Sequence, residues 1–292
     1  MRILVALVVA ILWAVPASAK PIDAVASFTV LADMVRQVGG DRVLVSSLVG
    51  PNGDPHVFEP SPDDARRLRH ADLVFVSGLG LEGWMDRLIQ ASGYHGTIVV
   101  ASEGIRTRTM EEDGKQIVDP HAWNSAANAV IYVGNIVKAL SAADPEGAAQ
   151  YEANGRRYAE ELRTLDAYAH QMIATVPPDR RKVLTSHDAF GYFGDAYGVK
   201  FLAPVGFSTE IEASASTVAK LIDQIRAEHV TAYFFENSND PKLIQQIARA
   251  TKAEPGGELY VEALSQPDGP APSYAAMFRR NVDLMVAAMK RN

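Results

Sequence analysis

Residues 145–175 read as one unbroken helix, and a helix of that length in mid-chain dictates much of what the remainder can do. Tyr151, Tyr158, Leu162, Leu165, Tyr168 and Met172 recur at helical spacing, no proline interrupts the run after Pro145, and Pro177-Pro178 ends it. At ~1.5 Å per residue such a helix extends beyond about 40 Å, against about 30 Å for the width of a small domain. It therefore has to run past two packed units, and the sequence on each side is expected to supply one of them.

Both flanks alternate short apolar, β-branched runs with segments of helical spacing. Before the helix, "AVASFTV", "RVLVSSLVG", "DLVFVSG" and "GTIVVAS" read as strands. "LADMVRQVGG", "PSPDDARRLRHA" and "EGWMDRLIQAS" read as helices, the second capped by Ser61 with Pro62 in its first turn. Residues 104–119 are polar without periodicity and read as a surface loop, after which Asn124 or Ser125 caps "AANAVIYVGNIVKAL". Beyond the long helix, "KVLTS", "KFLAP", "VTAYFFE" and "GELYVEAL" read as strands separated by helical segments, and "SYAAMFRRNVDLMVAAMK" as a final helix. The pattern predicts an α/β fold of two lobes, each a mainly parallel sheet flanked by helices, joined by one long backbone helix. The expected units are an N-terminal lobe over 20–144, a linking helix over 145–175 and a C-terminal lobe over 176–292.

The first nineteen residues place one arginine before an apolar run and end in Ala17-Ser18-Ala19, the pattern of a cleavable secretory signal with Lys20 as the mature start. The run is shorter than the roughly 20 residues that span a bilayer, so a periplasmic location is expected. The chain has no cysteine, which leaves neither a disulfide nor a thiol for a lipid anchor at the cleavage site. The formal charge is −7, from 28 basic and 35 acidic side chains, and becomes −8 when Arg2 leaves with the signal. That balance argues against nucleic acid and favours a cationic ligand.

Without thiolates, a metal site in this chain must use imidazole and carboxylate. His56 lies in "PNGDPHVFEPSP" on a proline-stiffened loop after a strand, His121 lies in "DPHAWNS" before a helix, and His187 directly follows the strand "KVLTS". Ligands of open α/β sheets bind beyond the carboxyl ends of the strands, so three such imidazoles can converge on one crevice, with Glu262 near the end of "GELYVEAL" as a fourth donor. Three imidazoles and one carboxylate would complete a four-coordinate zinc site. Asp54, Asp119 and Asp188 each lie within two residues of a candidate histidine, either to orient its ring or simply as turn and cap residues. Glu236, in "FFENSND", ends a strand facing the same crevice and either supports the site or caps the following helix. His70, His95, His170 and His229 stand among charged neighbours and read as solvated.

"NGDPHVFEPSPDDARRL", "DPHAWNS", "TSHDAFGYFGDAYG", "FFENSNDPKLIQQIA" and "LYVEALSQPDGPAPSYAAMFRRNVDLM" resemble, in order, the signature segments of the metal-binding solute-binding proteins of bacterial zinc and manganese ABC transporters. The likeness covers essentially the whole chain after the signal. It implies two lobes on one stiff helix, a single divalent metal held between them as transported ligand, and delivery to an ABC transporter membrane permease by a protein that is not an enzyme. Matching the segments carries the four ligands onto His56, His121, His187 and Glu262. It also implies a monomer, with a metal-loading chaperone as a further candidate partner. Two departures stand out: the family's fourth ligand is usually aspartate where this chain has Glu262, and the histidine-rich loop of many zinc-specific relatives is absent from 104–119.

Three nitrogens favour Zn2+ over Mn2+, since manganese-selective relatives often have glutamate in the third position and harder oxygen donors suit that ion. A manganese or iron importer subunit is the alternative within the family. Outside it stand a zinc hydrolase with Glu262 as general base, disfavoured by the lack of a His-Glu-x-x-His helix, and an adhesin, disfavoured by the lack of an anchor cysteine.

Overall fold

The computed structural model describes residues 20–112, 114–206, 209 and 214–292, so the expected signal over 1–19 lies outside the described residues. The chain opens with β1 (Ile22–Ala26), α1 (Thr29–Gly39), β2 (Val43–Ser47), α2 (Pro62–His70), β3 (Leu73–Val76), α3 (Met85–Ser92) and β4 (Thr97–Val100). The four strands form a parallel sheet in the order β2-β1-β3-β4. The central strands are apolar on both faces because helices cover both, whereas Leu44, Ile98 and Val100 on the edge strands remain exposed. Ser61 caps α2 through the Asp64 N–H and Asp64 answers with a bond from the Ser61 N–H, with Pro62 in the first turn as expected.

Residues 104–119 are not the irregular loop expected from their polarity. They contain an antiparallel hairpin, β5 (Thr109–Glu112) and β6 (Lys115–Val118), in register Thr109 to Val118. The cue was the Asp-Gly pair at 113–114, a two-residue hairpin signature, and Gly114 adopts the φ of 73° that such a turn demands. Ser125 then caps α4 (Ala126–Ala143). That helix is long and apolar enough to cross a membrane by length and composition. Its stripe of Ala129, Tyr132, Val133, Ile136 and Leu140 is buried, however, and it packs on α1 and on the next helix as a core element.

The long helix is α5 (Ala148–Ala174), 27 residues, entered through a 3-10 turn at Pro145–Gly147. Asp144 closes that turn by accepting from the Gly147 N–H, and it also accepts from Arg42 Nε at 2.7 Å and Tyr151 Oη at 2.7 Å. Tyr151, Tyr158, Leu162, Leu165, Ala169 and Ile173 form its buried stripe. Beyond it the chain continues with β7 (Lys182–Leu184), α6 (Gly191–Tyr197), β8 (Lys200–Leu202), α7 (Ala215–Ala227), β9 (Ala232–Glu236), α8 (Lys242–Thr251), β10 (Glu254–Leu259) and α9 (Tyr274–Met289). The second sheet is also parallel, in the order β10-β9-β7-β8. Mixed α/β architecture with two parallel sheets and one long helix is thus the observed fold.

One hydrophobic core runs from the first sheet through α1, α4 and α5 to α9, Val183 and Phe234, while Leu184, Leu202, Leu221, Ile225, Val230, Ile244 and Ile247 form a separate smaller core under α7 and α8. The segment "GELYVEAL" is strand only as far as Leu259. Asn281 of α9 captures both the N–H and the carbonyl of Tyr260, at 3.1 and 2.5 Å, which takes that residue's backbone groups out of the sheet ladder. The chain then bends, and Glu262 lies in the bend.

Candidate metal centre

Each predicted donor sits just past the carboxyl end of a strand or at the mouth of a helix, held by bonds that its local sequence supplies. His56 follows β2. Asp54 Oδ1 accepts the His56 N–H at 2.8 Å, and Trp84 Nε1 donates to the Pro55 carbonyl at 2.7 Å, so the Pro55–His56 peptide is held at both its N–H and its carbonyl. His121 follows β6 and precedes the 3-10 turn that leads into α4. His187 follows β7 and forms an isolated parallel bridge with Val205.

Glu262 belongs by chain order to the second half, yet its bend is bonded to the first. Trp123 Nε1 donates to the Val261 carbonyl at 2.8 Å, and Thr29 Oγ1 accepts the Leu264 N–H at 2.8 Å. Asn52 also donates its N–H to the Leu264 carbonyl.

The fold brings all four side chains together: one donor atom from each of His56, His121, His187 and Glu262 lies within 4.8 Å of the others, and all four side chains are buried. Glu262 Oε1 is the hub. It lies 2.5 Å from His56 Nε2 and 3.3 Å from both His121 Nε2 and His187 Nε2, and the two nitrogens of His56 and His121 are 3.2 Å apart. Metal–nitrogen bonds of ~2.0–2.1 Å in a tetrahedron set ligand edges of about 3.3 Å, so most of these separations already match a tetrahedral polyhedron. The 2.5 Å contact between His56 Nε2 and Glu262 Oε1 is shorter than such an edge. Glu262 Oε2 is buried and has no hydrogen-bond partner among the described residues.

Carboxylates behind the rings of His121 and His187 fix those two imidazoles with Nε2 inward. Asp119 Oδ1 lies 2.9 Å from His121 Nδ1 and accepts the His121 N–H at 2.9 Å. Glu236 Oε2 lies 2.5 Å from His187 Nδ1, while its Oε1 accepts the Ser186 and His187 N–H groups. Asn239 Nδ2 donates to Glu236 at 2.7 Å. The carboxylate behind His187 therefore comes from a strand end about fifty residues away rather than from the neighbouring Asp188, and Asp54 holds the His56 backbone rather than its ring. His70, His95, His170 and His229 are exposed, as expected of solvated side chains.

The electrostatics follow. Burial would drive Glu262 up, but the imidazoles of His56, His187 and His121 reverse this and hold its carboxyl well below the usual range. Burial would lower His187, but the charges of Glu236 and Glu262 carry it well above an ordinary imidazole. His121 is raised for the same reason: burial opposes, Asp119 and Glu262 prevail. Burial likewise opposes the lowering of Asp119, which its bonds to His121 and Arg108 nonetheless achieve. The centre is thus a closed, carboxylate-walled pocket poised for positive charge, which protons or a divalent cation can supply. A cavity of about 680 Å³ opens beside His187, bordered by Asp54, Val57, Thr209, Asn239 and Asp240.

The family described as zinc-uptake complex component A, periplasmic (ZnuA), matches residues 24–288. The iron-binding protein YfeA of Yersinia pestis is 33% identical over 268 residues, covering 91% of this chain and 86% of the relative. The manganese-binding lipoprotein MntA of Bacillus subtilis is 32% identical over 277 residues, covering 93% of this chain and 90% of the relative. Among solved structures, the periplasmic zinc-binding protein TroA of Treponema pallidum superposes with a TM-score of 0.87 at 30% identity, covering 93% of this chain and 99% of that one.

Proposed function

The chain belongs to the family of periplasmic zinc-uptake components, the metal-binding, substrate-delivering subunits of ABC importers, and on that premise we propose that it captures Zn2+ between His56, His121, His187 and Glu262 and hands it to the membrane permease. The observation that carries this reading is the convergence of four buried donors from four separate segments, within 4.8 Å of one another. Three imidazole nitrogens and one carboxylate oxygen, with edges near those of a tetrahedron, suit zinc. The ion replaces protons on the imidazoles, and Asp119 and Glu236 keep the inward nitrogens available to it.

A second reading is favoured by one feature. Glu262 Oε2 is buried and unpartnered among the described residues, so a bidentate Glu262 could raise the coordination number toward what manganese or iron prefers, and relatives are named for those metals.

The test is direct titration of metal-stripped protein with zinc and manganese against a chelator of known affinity. One equivalent of zinc, bound far more tightly than manganese and weakened at least ~100-fold by His121→Ala, is the expected result. Comparable or tighter manganese binding moves the assignment to the second reading, and failure to bind either ion removes both.

A further inference from the structure

Arg108 lies in the segment whose polarity suggested a mere surface loop, yet its guanidinium reaches into the scaffold of the metal centre from behind. Its Nη1 donates to Asp119 Oδ2 at 2.5 Å, on the opposite side of the carboxylate from His121 Nδ1. Its Nε donates to Asp195 Oδ2 at 2.9 Å, on α6, the helix that begins four residues after His187. The backbone repeats the connection: the Arg108 N–H donates to Tyr192 Oη, and that hydroxyl donates to the Asp119 carbonyl at 3.0 Å. Asp119 is fully buried, Arg108 about a quarter exposed and Asp195 mostly exposed, so the Asp119 arm is strong and the Asp195 arm weak.

Gly191, at the start of α6, makes room for this arrangement. A Cβ there would run into the Arg108 guanidinium and Asp119 Oδ2. The position carries no positive φ, so the glycine is needed for the close approach of the arginine and not for its backbone conformation.

We propose that Arg108 is a positioning residue for metal retention: it fixes Asp119, and through it the His121 ring, while tying the α6 end of the His187 loop to the same carboxylate. This rests on the proposed metal-binding role of the four donors. Asn124 Nδ2, which donates to the Ala189 carbonyl at 2.9 Å, is a neutral link between the same two segments and survives the substitutions below.

The experiment measures chelator-driven zinc release and the visible absorption of the cobalt(II)-substituted protein for the parent, Arg108→Gln, Arg108→Lys, Gly191→Ala and, as a surface control, Arg163→Gln on α5. The expected result is release accelerated ~10–100-fold in Arg108→Gln, a changed cobalt spectrum, and partial recovery of both in Arg108→Lys. Gly191→Ala, which alters no charge but displaces the guanidinium, reproduces the Arg108→Gln behaviour. Parent-like release and spectrum in Arg108→Gln overturn the proposal, as does faster release with an unchanged spectrum and no recovery by lysine, the mark of general loosening. If Arg108→Gln does not fold, Gly191→Ala and Arg108→Lys decide by the same two readouts. A parent protein that binds neither zinc nor cobalt overturns the metal-binding reading itself.

Discussion

At the residue scale the centre is organised around one oxygen. Glu262 Oε1 faces three imidazole nitrogens, so Glu262→Gln removes the charge that compensates His121 and His187 as well as the proposed fourth metal donor. Zinc affinity should fall at least 100-fold, in line with the ~3–5 kcal/mol cost of breaking a buried pair from one side, and competition against a chelator measures it. Undiminished affinity would mean that Glu262 is no ligand. The pH dependence follows from the proton–metal exchange. His121 and His187 have raised pKa values without metal, so protons compete with zinc from above the usual imidazole value of about 6.5. Their charged forms stabilise the metal-free fold below the unfolded-state pKa, and that contribution is lost as pH rises through the raised folded values. Glu262, held low, contributes above its unfolded pKa of about 4.3 and loses this only as pH falls through its depressed value. Between about pH 6 and 8 the zinc-induced rise in Tm should therefore grow with pH, as differential scanning fluorimetry would show, and a rise that shrinks would contradict the exchange. The convergence of the four side chains was legible, because His56 and His187 follow strands, His121 stands in a loop at the start of a helix and Glu262 lies near the end of a strand segment. The partnership of Glu236 with His187 was not, because it joins two strand ends 49 residues apart and depends on sheet order.

At the element scale, local chemistry decides what the sequence discloses. The Ser61-Pro62 start of α2 and the uninterrupted stripe of α5 are signals contained within a few turns, and both elements fall where expected. Strand ends depend on what captures the chain next. "AVASFTV" stops as strand at Ala26 because Phe28 caps α1, whose residues Val30 to Val35 are buried against the core, and "GELYVEAL" stops at Leu259 because Asn281 claims the Tyr260 backbone groups. Asp144 is the element-scale residue with most to lose. It ends the approach to α5, caps the 3-10 turn and binds both Arg42, just before β2, and Tyr151 of α5, and chiefly the Arg42 bond lowers its pKa to about 2. Its contribution is present above its unfolded value of about 3.9 and fades only as pH falls through about 2. Asp144→Ala should cost about 1–2 kcal/mol, lowering Tm by ~2–4 °C for each of these, uniformly between pH 5 and 8. A loss that disappears at pH 5 would assign the effect to another group.

At the scale of the whole molecule, the question is which part moves when metal arrives. The principal core is continuous from the first sheet through α1, α4 and α5 to α9, and α5 runs along it without a break. His56, His121 and Glu262 are all fastened to that body, Glu262 by way of Trp123, Thr29 and Asn52. His187 differs, because it sits between the large body and the smaller core of Leu184, Leu202, Leu221 and Ile244, and Glu236 and Asn239 support it from that side. A continuous helix with three of the four proposed donors on one body leaves little scope for a wide hinge, so capture should order the His187 side against the other three. Hydrogen exchange with and without zinc distinguishes the two pictures. Amides of residues 185–190 and 236–240 should gain protection on zinc binding, whereas those of 122–129 and 261–264 should be slow already in the metal-free protein and change little. Equal gains in all four segments would instead describe two bodies closing on each other about α5, and would make the attachment of Glu262 to Trp123 and Thr29 a product of metal binding rather than its precondition.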